Sequence, residues 1–185
     1  MKLNICCGTV WLPGWINVDR EDHAQICTWA RAQGKPEPVL GSADYLRYDL
    51  TRNWPWVADS ADEILADNCL EHFSHLELVQ VLREAFKVLK PGGTMTGRVP
   101  DFARIWQYYE DGADWQWGPE CAVGPYELPG ENALHNFCYG WGHKQIFTAP
   151  MLRQWLECAG FAVEIEPCET QGLRYTATKP TEAKP

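Results

Sequence analysis

Two short apolar strands, a glycine turn and a carboxylate open this chain, and they restrict its fold more than any other feature. Residues 3–6 form the first apolar run and lead into Cys7 and Gly8, while residues 16–19 form the second and end on Asp19. A glycine turn lets the backbone approach a ligand closely, and a carboxylate at a strand end can accept hydrogen bonds from a ribose diol. The arrangement predicts parallel strands with a nucleoside-type pocket at their carboxyl ends.

Two further predicted strands also end on carboxylates, at Asp49 and at Asp67. Together with Asp19 they would line the carboxyl edge of one parallel sheet, which is where open α/β sheets bind ligands. A role in turns is the alternative for each. Asp49 before Leu50 can begin a turn, and Asp67 with Asn68 can cap the segment that leads to the next helix.

The rest of the chain alternates between helices and strands. The clearest helix covers residues 75–90, where apolar side chains recur at spacings of three and four, and Pro91 with two glycines ends it. Pro13 and Gly14 leave space for only a turn or a stunted helix between the first two strands. The remaining predicted strands cover residues 45–50, 63–67, 94–99, 161–166 and 173–178, and the remaining helices cover 24–32 and 150–159. This order predicts an α/β fold with a doubly wound, mostly parallel, Rossmann-like sheet and an antiparallel last strand.

An irregular insertion, residues 102–146, breaks this rhythm after the fifth strand. Long loops inside a compact domain are usually functional or disordered, and the aromatic content of this one argues against disorder. We expect a single domain over residues 1–178, with the insertion as a lid on the substrate side, and a disordered tail over 179–185. The aromatic side chains could form a substrate wall or, equally, a local mini-core; they are Trp106, Tyr108, Tyr109, Trp115, Trp117, Tyr126 and Trp141.

Composition restricts the partners of the protein. A formal net charge of -9 makes nucleic acid unlikely, because binding to a phosphate backbone needs a basic face. No apolar run approaches the roughly 20 residues that cross a bilayer. The eight cysteines include no C-x-x-C pair and follow no secretory signal, so we expect reduced thiols in a cytoplasmic protein. We expect no metal site, because His135 and His143 lack a pattern of matched ligands.

The order and spacing of these runs resemble the class I S-adenosylmethionine-dependent methyltransferases. The resemblance is closest to a small, type 11-like group that begins with a strand, a G-C-G-type turn and a P-G-[WY]-I-N-V-D segment. The matching runs are residues 3–8, 12–19, 70–73, 88–93 and 99–102, with His143 and Lys144 before Phe147.

The resemblance implies S-adenosyl-L-methionine as the cofactor and assigns its binding residues. Cys6, Cys7 and Gly8 would approach the methionine part, Asp19 the ribose hydroxyls, Asp49 and Leu50 the adenine, and Asp67 and Asn68 the sulfonium and the methyl acceptor. Cys6 stands where the family turn usually has its first glycine. Its side chain must therefore point away from the cofactor, or it narrows the site.

The implied activity is transfer of a methyl group to a small or medium acceptor, small-molecule or glycan-like, at oxygen or nitrogen. The candidate catalytic residues are His72, Asp101 and His143, because imidazole and carboxylate groups can take a proton from the acceptor. Glu71 is expected to orient its loop.

Three alternatives to this activity exist. A nicotinamide-binding domain requires G-x-G-x-x-G and an acid about 20 residues further on, whereas here only Gly8 is present and Asp19 follows too soon. A non-catalytic relative of the fold is a second alternative. A methyltransferase that acts on a macromolecule is the third, and a partner chain would then have to supply the basic surface.

Overall fold

A seven-stranded sheet organises the part of the chain that the structure describes. The structure is a computed structural model and describes residues 1–41, 43–112, 129–168 and 172–182. The strands are β1 (Lys2–Ile5), β2 (Ile16–Asp19), β3 (Asp44–Arg47), β4 (Ala61–Leu65), β5 (Leu89–Pro100), β6 (Ala162–Pro167) and β7 (Gly172–Thr178).

Five α-helices in the described ranges connect or flank these strands. They are α1 (His23–Ala32), α2 (His75–Val88), α3 (Phe102–Glu110), α4 (Pro129–Tyr139) and α5 (Ala149–Cys158), and short 3₁₀ turns form at Leu70–His72 and Gly140–Gly142. Both α3 and α4 belong to the insertion, so its described part is largely helical. Three of its aromatic residues lie outside the described residues: Trp115, Trp117 and Tyr126.

The strand order, β3-β2-β1-β4-β5-β7-β6, confirms the predicted fold class. Strands β1 to β5 pair in parallel, whereas β7 runs antiparallel to both β5 and β6. The chain winds outward in one direction from β1 and then returns to start again at β4. The carboxyl ends of β1 and β4 therefore flank the topological switch point, where sheets of this kind hold ligands.

The connection between β1 and β2 contains no helix, as the Pro13-Gly14 pair predicts. The buried Asn17 side chain holds it instead. Its amide nitrogen donates to the Leu12, Trp15 and Asp44 carbonyls at 3.1 Å each, and its oxygen accepts a hydrogen bond from the Leu12 amide at 2.8 Å. These bonds fix the short connection in place and join it to the start of β3.

Helix α2 covers the sheet with its apolar face. A capping box begins it, in which Ser74 and Glu77 satisfy one another's backbone amides. Its buried apolar side chains are Leu78, Val81, Leu82, Ala85 and Val88. Burial of each large aliphatic side chain contributes roughly 1.5–3 kcal/mol, so this face anchors the segment that precedes the helix.

The chain makes further contacts directly beyond β7. Lys179, which the sequence assigns to the tail, pairs its backbone with Gly92 and Gly93. Its ammonium group lies 2.6 Å from the carboxylate of Asp59. Residues 183–185 lie outside the described residues.

The expectation of reduced thiols is wrong for two cysteines, because Cys6 and Cys69 form a disulfide with Cα atoms 5.5 Å apart. Cys6 directly follows β1, and Cys69 lies in the loop after β4. Since β1 and β4 are neighbouring parallel strands, both cysteines reach the same edge of the sheet. Their separation of 63 residues gives no sign of this proximity.

Within the described ranges, no helix has the length and apolar character needed to cross a membrane.

Candidate active site

The turn after β1 leaves backbone open to a ligand. Cys6 and Gly8 both have left-handed backbone conformations, with φ of 50° and 46°, and the Cys7 amide donates to the Val18 carbonyl at 3.1 Å. A Cβ atom added at Gly8 would have no heavy atom within 4 Å among the described residues. The backbone of this turn therefore faces open space. The Cys6 side chain is directed into its disulfide, and that of Cys7 is buried in the core.

Asp19 fixes this turn and still has acceptor positions that no hydrogen bond of the described structure uses. Its Oδ2 accepts a hydrogen bond from the Gly8 amide at 2.9 Å, and its Oδ1 accepts one from the Glu21 amide at 3.2 Å. An ionised carboxylate has about four acceptor positions, so two stay available. The side chain is only partly buried, at the end of β2.

Asp49 has local partners of its own. Its Oδ1 accepts hydrogen bonds from the hydroxyl and the amide of Thr51 at 2.7 and 3.1 Å, and its Oδ2 lies 3.4 Å from Arg52 Nε. The Thr51 hydroxyl is the main reason why the pKa of Asp49 is lowered. Leu50 is buried behind it in the core. Asp49 thus takes part in a turn, and its contact with the cofactor stays a prediction.

Asp67 is held in an ion pair. Its two carboxylate oxygens bind the guanidinium of Arg98 on the adjacent β5, with the Nε contact at 2.7 Å, and this pairing raises the pKa of Arg98. Asn68 has φ of 47°, and its amide donates to the Arg98 carbonyl at 2.9 Å. Asp67 therefore pairs with a neighbouring strand, whereas Asn68 lines a cavity beside it.

This cavity, of about 670 Å³, opens at the carboxyl edge of β4 and β5. The structure brings together three of the predicted cofactor-binding and catalytic residues there, Asn68, His72 and His143, with Trp141 of the predicted substrate wall. The lining of the cavity also includes Lys35, Glu71, Arg98, Val99, Pro100 and Gly172. Sequence reasoning missed Lys35 and Arg98; the signal available for Arg98 was a cation near the carboxyl end of a predicted strand.

Asp101 has a structural role. Its carboxylate caps α3 by accepting a hydrogen bond from the Ala103 amide at 3.1 Å, and burial raises its pKa. It pairs with Phe147 in an isolated parallel bridge and is not part of the cavity lining. These contacts favour helix capping over contact with an acceptor.

Three titratable side chains converge on one wall of the cavity. Glu71, His72 and His143 each have a nitrogen or oxygen atom within 4.8 Å of the others, and the two imidazole rings pack edge to face with centroids 5.1 Å apart. Glu71 and His72 come from the 3₁₀ turn after β4, whereas His143 follows the turn after α4. The Glu71 carbonyl accepts hydrogen bonds from the Lys144 and Gln145 amides at 2.8 and 3.0 Å, which joins the two segments.

Burial sets the charge of this cluster. Burial raises the pKa of Glu71 to about 8, and the negative charge of Asp67 adds to this. The pKa of His72 is lowered by burial and then by His143, and that of His143 is lowered by burial. All three groups are consequently neutral near pH 7 when no cation is bound. The backbone carbonyl of Glu71 joins its loop to the segment after His143, whereas its carboxylate, which was expected to orient the loop, has no hydrogen-bond partner in the described structure.

Residues 3–96 match the family described as the methyltransferase domain, of type 11, which is about half of the chain. The chain belongs to this methyltransferase family. It is therefore an enzyme that transfers methyl groups, and its cofactor is S-adenosyl-L-methionine. The matched residues include the glycine turn, the end of β2 and the loop after β4, which are the segments that surround the switch point.

Solved structures of methyltransferases share the fold of this one. A putative methyltransferase from Haloferax volcanii, solved with the Trm112 methyltransferase activator, is 13% identical with a TM-score of 0.65, over 97% of this chain and 82% of that chain. A methyltransferase from Methanosarcina mazei described as SAM-dependent is 19% identical with a TM-score of 0.62, over 98% and 92%. One from Archaeoglobus fulgidus is 15% identical with a TM-score of 0.60, over 96% and 85%. A comparison with curated proteins found no match.

Proposed function

We propose that this methyltransferase holds its cofactor along the carboxyl edge of β1, β2 and β4 and methylates a small or medium acceptor in the adjacent cavity. The observation that carries the proposal is the position of the 670 Å³ cavity, which begins at Asn68 on the same edge as Asp19.

The residues on this edge fit S-adenosylmethionine. The open backbone at Gly8 allows close approach, and the two unused acceptor positions of Asp19 suit a ribose diol. We assign the adenine to Asp49 and Leu50, the methionine part to the turn of Cys6, Cys7 and Gly8, and the sulfonium end to Asn68. Asp67 supports this end of the site indirectly, because its carboxylate is paired with Arg98.

The bound cofactor supplies an electrophilic methyl group, so the protein's main task is to align the acceptor. The cavity lining combines polar groups with the indole of Trp141. This combination suits a hydroxylated or amine-bearing small molecule, or a glycan-like one, methylated at oxygen or nitrogen. We propose that His72 and His143 hold and activate the reacting group, since both are neutral near pH 7 and line the cavity.

We also propose that the insertion, residues 102–146, forms the acceptor side of the cavity. Trp141 is the described aromatic residue that supports this, because it lines the cavity and its ring centroid lies 5.8 Å from that of His143. Phe137 instead is buried and packs on Phe102, as a mini-core would require.

Transfer of labelled methyl groups tests this proposal. The purified protein and labelled S-adenosylmethionine would be incubated with panels of small hydroxylated and amine compounds. Trp141→Ala should lower turnover at least about tenfold while leaving S-adenosylhomocysteine affinity within about twofold, because Trp141 faces the acceptor. Tyr139→Ala, which changes an exposed aromatic residue nearby, is the matched control. Equal losses of turnover and cofactor affinity in Trp141→Ala would contradict the assignment.

A macromolecular acceptor is the second candidate function. The observation in its favour is the Haloferax volcanii neighbour, which was solved in complex with a methyltransferase activator. Since the present chain is strongly acidic, a partner would have to provide any surface for nucleic acid. Label that enters precipitable protein or RNA, and no compound of the panels, would favour this candidate.

A further inference from the structure

We infer that Glu71, His72 and His143 bind one divalent transition-metal ion in the wall of the cavity. Their ligand atoms lie within 4.8 Å of one another, which is close enough to meet around a single ion after small side-chain adjustments. Two imidazoles and one carboxylate are the protein ligands of several catalytic zinc and iron sites that keep coordination positions open. The inference concerns metal binding alone and does not rest on the proposed acceptor.

The carboxylate of Glu71 provides independent evidence. The residue is 1% exposed, and neither of its oxygens has a hydrogen-bond partner in the described structure. Burial of a carboxyl group without a partner is costly, whether the group is charged or neutral. A cation between Glu71 and the two imidazoles would supply the missing partner.

Both histidines have a backbone carbonyl beside Nδ1. His143 Nδ1 lies 2.8 Å from the Phe137 carbonyl, and His72 Nδ1 lies 3.4 Å from the Gly142 carbonyl. A carbonyl can only accept, so these contacts favour the tautomer with the proton on Nδ1 and the lone pair on Nε2, more strongly for His143 than for His72. A backbone carbonyl behind the ring is the common arrangement that fixes a histidine ligand.

The backbone around the cluster is braced. The amides of Lys144 and Gln145 bind the Glu71 carbonyl, and the Lys144 ammonium binds Glu77 at the start of α2 at 2.9 Å. His143 is thus tied to the turn that carries Glu71 and His72. Such bracing lowers the cost of bringing the ligands together when an ion binds.

The ligand types indicate which ions fit. Imidazole suits zinc, iron, cobalt and nickel, whereas magnesium and calcium prefer oxygen ligands alone. The cavity leaves room for water or for an acceptor oxygen at the open positions of the ion. An ion there would lower the pKa of a bound acceptor hydroxyl, so His72 and His143 would hold and activate the reacting group through the ion. This inference differs from the expectation, drawn from the sequence, that the protein has no metal site.

Titration with Co²⁺, which resembles Zn²⁺ in its ligand preferences and absorbs visible light, tests the inference without cofactor or acceptor. We expect one equivalent to bind and to give the visible bands of a site with nitrogen and oxygen ligands. Glu71→Gln, His72→Gln and His143→Gln should each weaken binding at least about tenfold, since each removes a ligand. His135→Gln, which changes an exposed histidine on α4, should bind like the wild type. Absence of binding, or bands typical of thiolate ligands that survive all three variants, would overturn the inference.

A second measurement uses the wild-type protein alone, so it does not depend on whether the variants fold. In the Co²⁺-loaded protein, proton NMR should show exchangeable ring N–H signals of two histidines, shifted by the paramagnetic ion. Shifted signals from no histidine, or from one only, would contradict the three-ligand site. Calorimetry with S-adenosylhomocysteine on the same sample tests cofactor binding separately, so failure of the metal site and failure of the proposed function can be distinguished.

Discussion

Gly97 lies where a single methyl group would separate two strands. A Cβ at this position of β5 would come 2.1 Å from the Ala66 carbonyl oxygen and 2.8 Å from the Tyr175 hydroxyl. Tyr175 is fully buried and donates to the same Ala66 carbonyl at 3.1 Å. A side chain here would therefore push β5 away from the loop that carries Asp67 and Asn68.

We predict that Gly97→Ala lowers the free energy of unfolding by about 3 kcal/mol or more, because a rigid backbone atom has to move. Gly130→Ala is the matched control, since its Cβ would have ordinary contacts at 3.7 Å. Urea denaturation of both variants measures the difference. Wild-type stability in Gly97→Ala would contradict the close approach of β5 to the Ala66 carbonyl.

Individual side chains also show where sequence reasoning reaches its limit. Asp19 could be placed at the end of β2 because an apolar run precedes it directly. The pairing of Asp67 with Arg98 could not be predicted, since it depends on which strand lies beside β4 and in what register. The unpartnered carboxylate of Glu71 could not be predicted either, because the burial of a loop residue depends on which segments pack over it.

At the scale of elements, the start of α2 stabilises the segment that carries His143. Glu77 Oε2 accepts from the Ser74 amide at 2.7 Å and from the Lys144 ammonium at 2.9 Å. The Ser74 amide is the main reason why the pKa of Glu77 is lowered to about 2, and Lys144 is the next. The folded protein thus favours the ionised form, so the stabilisation is full above the unfolded pKa near 4.5 and is lost as the pH falls toward 2.

We predict that Glu77→Gln lowers the free energy of unfolding by about 1–2 kcal/mol at pH 7, after allowance for the solvent exposure of the ion pair. The difference from wild type should shrink steadily below pH 4.5. Urea denaturation across this range measures it, with the exposed Glu157→Gln as control. A difference that stays constant from pH 7 to pH 3 would contradict the role of the charge.

The disulfide connects the glycine turn to the loop after β4. A cross-link that closes a loop of this length is worth roughly 2–4 kcal/mol, chiefly through the unfolded chain. We predict that a reductant lowers the stability of the wild type by that amount but leaves Cys69→Ser unchanged. The exposed, free Cys158 provides the control variant Cys158→Ser, which should respond like the wild type. Alkylation of all wild-type cysteines without reductant would show that the bond is absent.

Most elements could be predicted because their signals are local. Periodicity places α2 at residues 75–90, and the structure ends it at Val88, where the chain turns directly into β5. Helices α3 and α4 were missed because the aromatic, glycine and proline residues of 102–146 were interpreted as one irregular insertion. A helical period is present in α3, where Phe102, Ile105, Trp106 and Tyr109 recur at spacings of three and four, with Ile105 buried.

At the scale of the whole molecule, strand order turns scattered residues into one site. Because β1 and β4 flank the switch point, residues near 8, 19, 68 and 143 meet at one edge of the sheet. Strand order is decided by packing and connection lengths, so the sequence could suggest it only through resemblance to a family. The cavity, its basic residues and the histidine cluster follow from that order.

Calorimetric titration with S-adenosylmethionine and S-adenosylhomocysteine, with NAD as control ligand, tests the central claim most directly. We predict one-to-one binding of the first two and none of NAD. Asp19→Ala should weaken binding by about 10–100-fold, the worth of charge-assisted hydrogen bonds to the ribose. Asp44→Ala, at the opposite end of the neighbouring β3, should bind like the wild type. Equal affinity in wild type and Asp19→Ala would contradict the cofactor site described for this sheet edge.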